Sequence, residues 1–208
     1  MLRTTGAFPA GLPARRDVPP PPWTRMPLSQ RLRLQGRVAL MASGLALFER
    51  RGLAVRAMPE LRMLRHLVPP GRVAVDVGAN IGTVASEIAR HARLTYAFEA
   101  NPMPFHVLRR LRGRRLVPIW AAVGAAAGEA EFVVPLSRKG LSSNGGDLRD
   151  AIAPGAGAWV LRVPVVALDD LDLGNVGFLK IDVEGHEAAV LDGARRLLET
   201  HRPAVFGE

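Results

Sequence analysis

VAVDVGANIGT, residues 73–83, changes character halfway along. Val73, Ala74, Val75 and Val77 make a short apolar run of the kind found in a strand buried on both faces, whereas Gly78, Asn80 and Gly82 let a backbone turn tightly. The carboxylate of Asp76 stands at the join. The stretch that follows, IGTVASEIARHA (81–92), has helical spacing. Strand, glycine turn and helix in that order are how α/β sheets build nucleotide sites.

Outward from this turn, strand and helix patterns alternate without an internal repeat. LTYAFEANP (94–102) predicts a second strand ending at Glu99, with Pro102 in the first turn of the helix PMPFHVLRRLRG. RLVPIWAAVG (115–124) predicts a third strand, and EFVVPL (131–136) and WVLRVPVVAL (159–168) predict two more, separated by the loop SRKGLSSNGGD. VGFLKIDVEGHEAAVLDGARRLLETH gives a strand over 177–183 and one long helix over 186–201, and PAVFGE opens another strand. This alternation predicts an α/β fold with a doubly wound, mostly parallel, Rossmann-like sheet, whose ligands sit at the carboxyl ends of strands near the switch point.

The chain has 208 residues, 48% of them hydrophobic, enough to bury a core. Without cysteine there is no disulfide framework, thiolate zinc site or cysteine nucleophile, and a reducing compartment fits. The net charge of +9 is uneven: residues 1–71 hold 12 Arg against 3 acids, whereas residues 72–208 hold 16 basic and 16 acidic residues. The domain that carries the turn is therefore neutral. Basic charge confined to an N-terminal segment without aromatic interleaving disfavours nucleic acid as a partner.

Residues 1–27 contain seven prolines and read as a mobile Pro/Arg-rich leader. Those prolines interrupt the apolar core that a signal peptide needs, and DVPPPP after Arg15-Arg16 does not suit a twin-arginine signal, so a cytoplasmic location is expected. Residues 28–71 read as basic N-terminal helices. In the first, the apolar run Val38–Phe48 is eleven residues, too short to span a bilayer. Docking on the domain is the plain reading, and contact with a membrane surface is the other that a basic amphipathic helix allows. MPELRMLRHLVPPG (58–71) predicts one more helix, stopped by Pro69, Pro70 and Gly71.

Two ligands compete for the glycine turn. A dinucleotide fingerprint, and with it an NAD(P)-dependent oxidoreductase, requires G-x-G-x-x-G, but the sequence has Asn80 at the second glycine. Asp76 would also confront a pyrophosphate with a second anion in a poorly screened cleft. S-adenosylmethionine instead brings an ammonium and a sulfonium, and its carboxylate can be received by N–H groups at the helix start. Glu99 follows Gly78 by 21 residues, the distance at which an acid ending strand two accepts hydrogen bonds from ribose hydroxyls.

The second informative stretch is FLKIDVEGHE (178–187). If the strand continued through it, Lys180, Asp182 and Glu184 would leave one face in steps of roughly 6.6–6.8 Å. Three charges on an internal strand are costly unless they meet one another, a ligand or water. A structural lysine–acid network anchoring the strand end is the competing reading. His186 and Glu187 do not begin a zinc-protease motif, because Val190 stands where its second histidine belongs; no metal is expected.

VDVGANIGT, FEANP, AAVGAAAGEAEF, LDDL and LKIDVEGHEAAVLDGA, followed by RP, stand in the order and spacing in which they resemble the FkbM family of S-adenosylmethionine-dependent methyltransferases. The resemblance covers about residues 72–208. It implies a class I methyltransferase fold and transfer of a methyl group to a hydroxyl of a small molecule, usually a sugar or a secondary metabolite. It further implies that Asp76, Gly78, Ala79, Asn80 and Gly82 cradle the methionine part of the cofactor, and that Glu99, with Ala100 and Asn101, lies at the ribose. Where the family often has Asp near the adenine this chain has Ala125, which leaves backbone groups around Ala122, Val123 and Gly124 for that contact.

For the reaction, Asp182 or Glu184 is the candidate base, Lys180 fixes that carboxylate or the acceptor oxygen, and His186 is an alternative base. Gly and Ser in 138–147 suit either a loop that closes over substrate or an ordinary surface loop. Class I methyltransferase sheets commonly finish with a hairpin beyond the fifth strand. The end at Glu208 therefore suggests either an incomplete domain or one closed by the N-terminal helices or a partner, and a non-catalytic cofactor- or partner-binding module is the runner-up from a different class. Oligomeric state is not legible in the sequence.

Overall fold

The computed structural model describes residues 58–207 other than 112–114, 138–139, 142–146 and 149–157, together with six positions between 28 and 44. The expectations for the leader 1–27, and for most of 28–57 and of the loop 138–147, lie outside the described residues. Leu28, Leu32, Gly36, Ala39, Leu40 and Gly44 are helical and exposed. Among the described residues no helix is long and apolar enough to cross a membrane.

In chain order the elements are a 3-10 turn (Pro59–Met63) running into α1 (Leu64–Leu67), β1 (Val73–Val77), α2 (Thr83–His91), β2 (Leu94–Phe98), α3 (Pro102–Leu108), β3 (Leu116–Ile119), β4 (Ala122–Val123), β5 (Gly128–Ser137), β6 (Gly140–Leu141), β7 (Asp147–Leu148), β8 (Ala158–Val166), a 3-10 turn (Leu168–Asp170), β9 (Val176–Ile181), α4 (Glu187–Asp192), α5 (Arg195–His201) and β10 (Ala204–Gly207). The central sheet runs β10-β9-β1-β2-β3, and every described pair in it is parallel. β1 and β9 are each buried at every position, which explains their nearly unbroken apolar sequences. The chain leaves β1 for β2 on one side and returns to β9 on the other, so the order reverses between β1 and β9. This is the predicted doubly wound sheet, and its switch point lies at the carboxyl ends of those two strands.

Strand alternation divides the core between the two faces. Val73, Val75, Val77, Leu179 and Ile181 pack with Val190 of α4 and Leu197 of α5. On the other face Ala74 and Phe178 meet Ile88 of α2 and Leu61, Leu64 and Val68 from the N-terminal helical turn. Asp76 and Lys180 follow Ala74 and Phe178 by two residues, so they share that second face, and they are directly paired in the β1–β9 register.

Two predicted elements are subdivided and a third is shortened. The third strand breaks at Trp120 and Ala121, so that β3 joins the central sheet and β4 pairs with β8 in a second sheet. In that second sheet β5 runs antiparallel to β8 from Gly128↔Val165 to Pro135↔Ala158. The expected helix 186–201 breaks at Gly193 and Ala194, because a Cβ at Gly193 would lie 2.0 Å from the Gly124 carbonyl oxygen and the Gly193 carbonyl accepts from Asp169 N–H at 2.8 Å. Asp169 also caps the second half, its carboxylate accepting from the N–H groups of Arg196 and Leu197, both at 2.8 Å. Lastly β9 ends at Ile181, two residues before the predicted end, where the chain turns past Gly78.

Candidate active site

The glycine turn closes on β2 and β9 rather than standing free. Gly78 and Ala79 both donate N–H bonds to the Phe98 carbonyl, at 3.1 and 2.9 Å, and Asp182 N–H donates to the Val77 carbonyl at 3.1 Å. Gly78, at φ 77°, has no space for a side chain: a Cβ there would lie 1.8 Å from the Asp182 carbonyl oxygen. Asn80, also in the left-handed region at φ 50°, is exposed, and its side-chain oxygen accepts from Ile81 N–H at 2.8 Å. Helix α2 then starts from Gly82 with no side-chain cap, so its first-turn N–H groups are not satisfied by a capping side chain.

Beneath the turn lies a charged cluster. The Lys180 ammonium stands 3.1 Å from Asp76 Oδ1 and 3.1 Å from Asp182 Oδ2, and it donates to the Gly78 carbonyl at 3.3 Å. The contact with Asp76 is an ion pair without hydrogen-bond geometry, and among the described residues neither Asp76 oxygen receives a hydrogen bond. Asp76 is fully buried. Burial pushes its carboxyl above the usual range, opposed by the Lys180 charge. For Lys180, burial disfavours the ammonium, but Asp76 and Asp182 outweigh it and the pKa is raised, so the group is a cation at neutral pH.

Glu99 joins this cluster to the neighbouring turn. Its Oε2 accepts from Asn80 N–H at 2.8 Å and its Oε1 from Asn101 N–H at 2.6 Å, so one carboxylate ties the glycine turn to the start of α3. Burial is the main cause that raises its pKa to about 7, against those two hydrogen bonds. Each oxygen keeps a second lone pair, the arrangement that a pair of vicinal hydroxyls requires. Three carboxyls surround one ammonium, and because burial favours the neutral forms of Asp76 and Glu99, the negative charge they offer a cationic ligand is partial.

The structure brings Asp76, Gly78, Ala79, Asn80, Gly82, Glu99, Lys180 and Asp182 together, and it revises several expected contacts. Because Asp76 is covered and paired with Lys180, its charge acts through that cluster and not by touching a ligand. Asn101 spends its side chain capping α3, accepting from Met103 N–H at 3.1 Å. Ala122 and Val123 are buried strand residues and Gly124 N–H is committed to the Val166 carbonyl at 3.0 Å, which leaves Ala125 as the exposed residue beside them. Glu184 does not extend the Lys180–Asp182 row, because the strand has ended and Glu184 sits exposed in a turn at φ 42°. His186 is the N-cap residue of α4, without a capping hydrogen bond from its side chain.

One structural contributor was not predicted from sequence. Trp120 is buried and its Nε1–H donates to the Ala100 carbonyl at 3.0 Å, holding the Glu99–Asn101 turn against the break between β3 and β4. An indole in a strand pattern reads as core, and nothing local marks the distant carbonyl as its partner. A cleft of about 280 Å³ lies elsewhere, lined by Asp169, Asp172, Arg196 and His201 among others, and contains none of the predicted site residues.

A family model described as the methyltransferase FkbM domain matches residues 76–208. Hexuronic acid methyltransferase AglP of Haloferax volcanii is 32% identical over 152 residues, 67% of this chain and 57% of that protein. The chain therefore spans little more than half the length of that relative. Among solved structures, a methyltransferase FkbM from Methylobacillus flagellatus aligns over 64% of this chain and 31% of its own, with 20% identity and a TM-score of 0.45. A precorrin 8w decarboxylase from Methanobacterium thermoautotrophicum aligns over 30% of this chain and 38% of its own, with 27% identity and a TM-score of 0.27.

Proposed function

The chain belongs to the FkbM methyltransferase family, and from that premise we propose that residues 72–208 transfer the methyl group of S-adenosylmethionine to a hydroxyl oxygen of a sugar or a related small metabolite. The observation that carries this reading is the Glu99 bridge, a buried carboxylate holding two turns together at the switch point while keeping a lone pair on each oxygen. The residues present fit the cofactor. Glu99 would take the ribose hydroxyls, the uncapped start of α2 the amino-acid carboxylate, and the partial negative charge of the Asp76–Lys180–Asp182 cluster the cationic groups. The sugar acceptor is supported by the relative, whose name describes methylation of a hexuronic acid.

Bound in this way, S-adenosylmethionine supplies a methyl carbon already activated by its sulfonium. The protein's contribution is alignment, exclusion of water and acceptance of the hydroxyl proton. Lys180 fixes the geometry of the cleft floor, because it touches both strands that form the switch point and the carbonyl of the turn between them.

Calorimetry with S-adenosylhomocysteine and with NADH, followed by incubation with S-adenosylmethionine and uronic acid glycosides, tests the reading. Tight binding of the first nucleotide and a product heavier by one methyl group are expected. Binding of NADH alone would refute the proposed cofactor. Homocysteine-nucleoside binding without transfer to any hydroxylated acceptor would mark a non-catalytic module.

A further inference from the structure

We propose that Trp120 is a positioning residue of the cofactor site, whose indole N–H sets the Glu99 carboxylate for the ribose by holding the peptide group between Ala100 and Asn101; this rests on the methyl-transfer reading above. Trp120 Nε1–H donates to the Ala100 carbonyl at 3.0 Å, and Asn101 N–H donates to Glu99 Oε1 at 2.6 Å. That carbonyl and that N–H belong to one peptide group, and its planarity points them in opposite directions. Gripping the oxygen end therefore sets where the N–H end points, and the carboxylate follows the N–H. Hydrogen bonds in such a chain also polarise one another, so the indole strengthens the bond at Asn101.

The main chain is held on the other side of Glu99 as well. The Ile119 carbonyl accepts from Glu99 N–H at 3.1 Å, so consecutive residues at the end of β3, Ile119 and Trp120, fix the backbone before and after the Glu99 side chain. Its second oxygen, Oε2, accepts from Asn80 N–H at 2.8 Å, which carries the constraint on to the glycine turn.

The indole itself has a firm seat. Trp120 is 6% exposed and belongs to a buried cluster that includes Ala79 of the glycine turn, Phe105 of α3, and Phe132 and Val163 of the second sheet. A phenyl ring is apolar enough for such a cluster; what the indole adds is the donor. A buried indole N–H needs an acceptor, and most acceptors would leave the site untouched. Here the acceptor lies on the peptide group that bonds Glu99 Oε1, which ties the choice of side chain to the ligand-binding carboxylate.

The test uses the full chain and the variants Trp120→Phe, Glu99→Gln and the two combined, with S-adenosylhomocysteine calorimetry, thermal unfolding and amide hydrogen exchange. In Trp120→Phe the affinity should fall about fivefold to tenfold, the worth of one hydrogen bond. The Asn101 amide should exchange faster in that variant, while the paired Val75 and Leu179 amides of the central sheet stay within about twofold of the parent. In the Glu99→Gln background the same replacement should cost less than about twofold, because the carboxylate through which it acts is gone. Equal losses in both backgrounds, unchanged affinity in Trp120→Phe, or exchange speeded alike at Asn101, Val75 and Leu179 overturns the assignment and leaves Trp120 as core packing alone. The exchange contrast needs no ligand, so it decides where Glu99→Gln binds too weakly to titrate. If Trp120→Phe does not fold, a benzothienyl analogue of tryptophan at position 120, with sulfur in place of the N–H, removes the donor and keeps the ring for the same readouts. A parent chain that binds no S-adenosylhomocysteine overturns the methyl-transfer reading, and this role with it, whereas a binding parent with equal losses in both backgrounds overturns this role alone.

Discussion

Replacing Lys180 with Met keeps most of the length of the side chain and removes the cation from under the glycine turn. The ammonium lies 3.1 Å from Asp76 Oδ1, a pair that attracts by roughly 5 kcal/mol at an effective dielectric of about 20. The second partner, Asp182, has a side chain 42% exposed, so its attraction is screened and adds little. Because Asp76 is fully buried, truncating its partner strands a charge, and the expected destabilisation is about 3–5 kcal/mol at pH 7. The loss should depend on pH in a definite direction. Burial already raises the Asp76 pKa and Lys180 opposes the rise, so the variant's Asp76 titrates higher still. A carboxyl whose folded pKa exceeds its unfolded value of about 3.9 contributes stability when protonated, and that contribution is lost as pH rises through the folded pKa. Urea unfolding followed by tryptophan fluorescence from pH 4 to pH 8 should therefore show the variant losing up to roughly 1.4 kcal/mol per pH unit before levelling. Asp76→Asn combined with Lys180→Met should recover at least half of the loss and flatten the profile. A single variant within about 1 kcal/mol of the parent at pH 7, or a double variant as unstable as the single, would refute the ion-pair account.

Three further outcomes follow from the same geometry. Gly78→Ala should cost about 2–3 kcal/mol, from the left-handed backbone and the displaced Asp182–Val77 hydrogen bond, and a urea titration reads it; unchanged stability with lost cofactor binding would mean the glycine serves the ligand alone. Asp169→Ala should cost about 1–2 kcal/mol and speed hydrogen exchange at the amides of Arg196 and Leu197, which the carboxylate caps. Glu99, raised from 4.5 to about 7, contributes stability that is fully present below pH 4.5 and is lost as pH rises toward 7, a change on the order of 3 kcal/mol; Glu99→Gln should remove that slope in paired denaturation curves.

The parts of the site that sequence revealed are those encoded over short distances. Asp76 through Gly82 announces its turn by residue type alone, and Glu99 is placed by one strand and one helix length. Regular alternation of strand and helix gave the parallel sheet for the same reason. Several features that the sequence does not show depend on a distant partner. Counting along one strand places Lys180 beside Asp182, which it meets at 3.1 Å, but it does not reveal the register mate Asp76, 104 positions earlier. Periodicity says which face a side chain takes and nothing about which strand lies alongside. The helix break at Gly193 likewise depends on the Gly124 carbonyl, and the strand break at Trp120 on the Ala100 carbonyl. Asn101 shows a different ambiguity, because an amide suited to a ligand is equally suited to capping a helix, and here it caps.

The contacts made by Gly78 and Gly193 have a genetic corollary. In each case the atom occupying the space of a side chain is a main-chain oxygen, that of Asp182 in one and of Gly124 in the other. Every amino acid carries that oxygen. A screen for second-site suppressors of Gly78→Ala or Gly193→Ala should therefore recover none at codon 182 or 124, and only true revertants or changes that raise stability elsewhere in the chain.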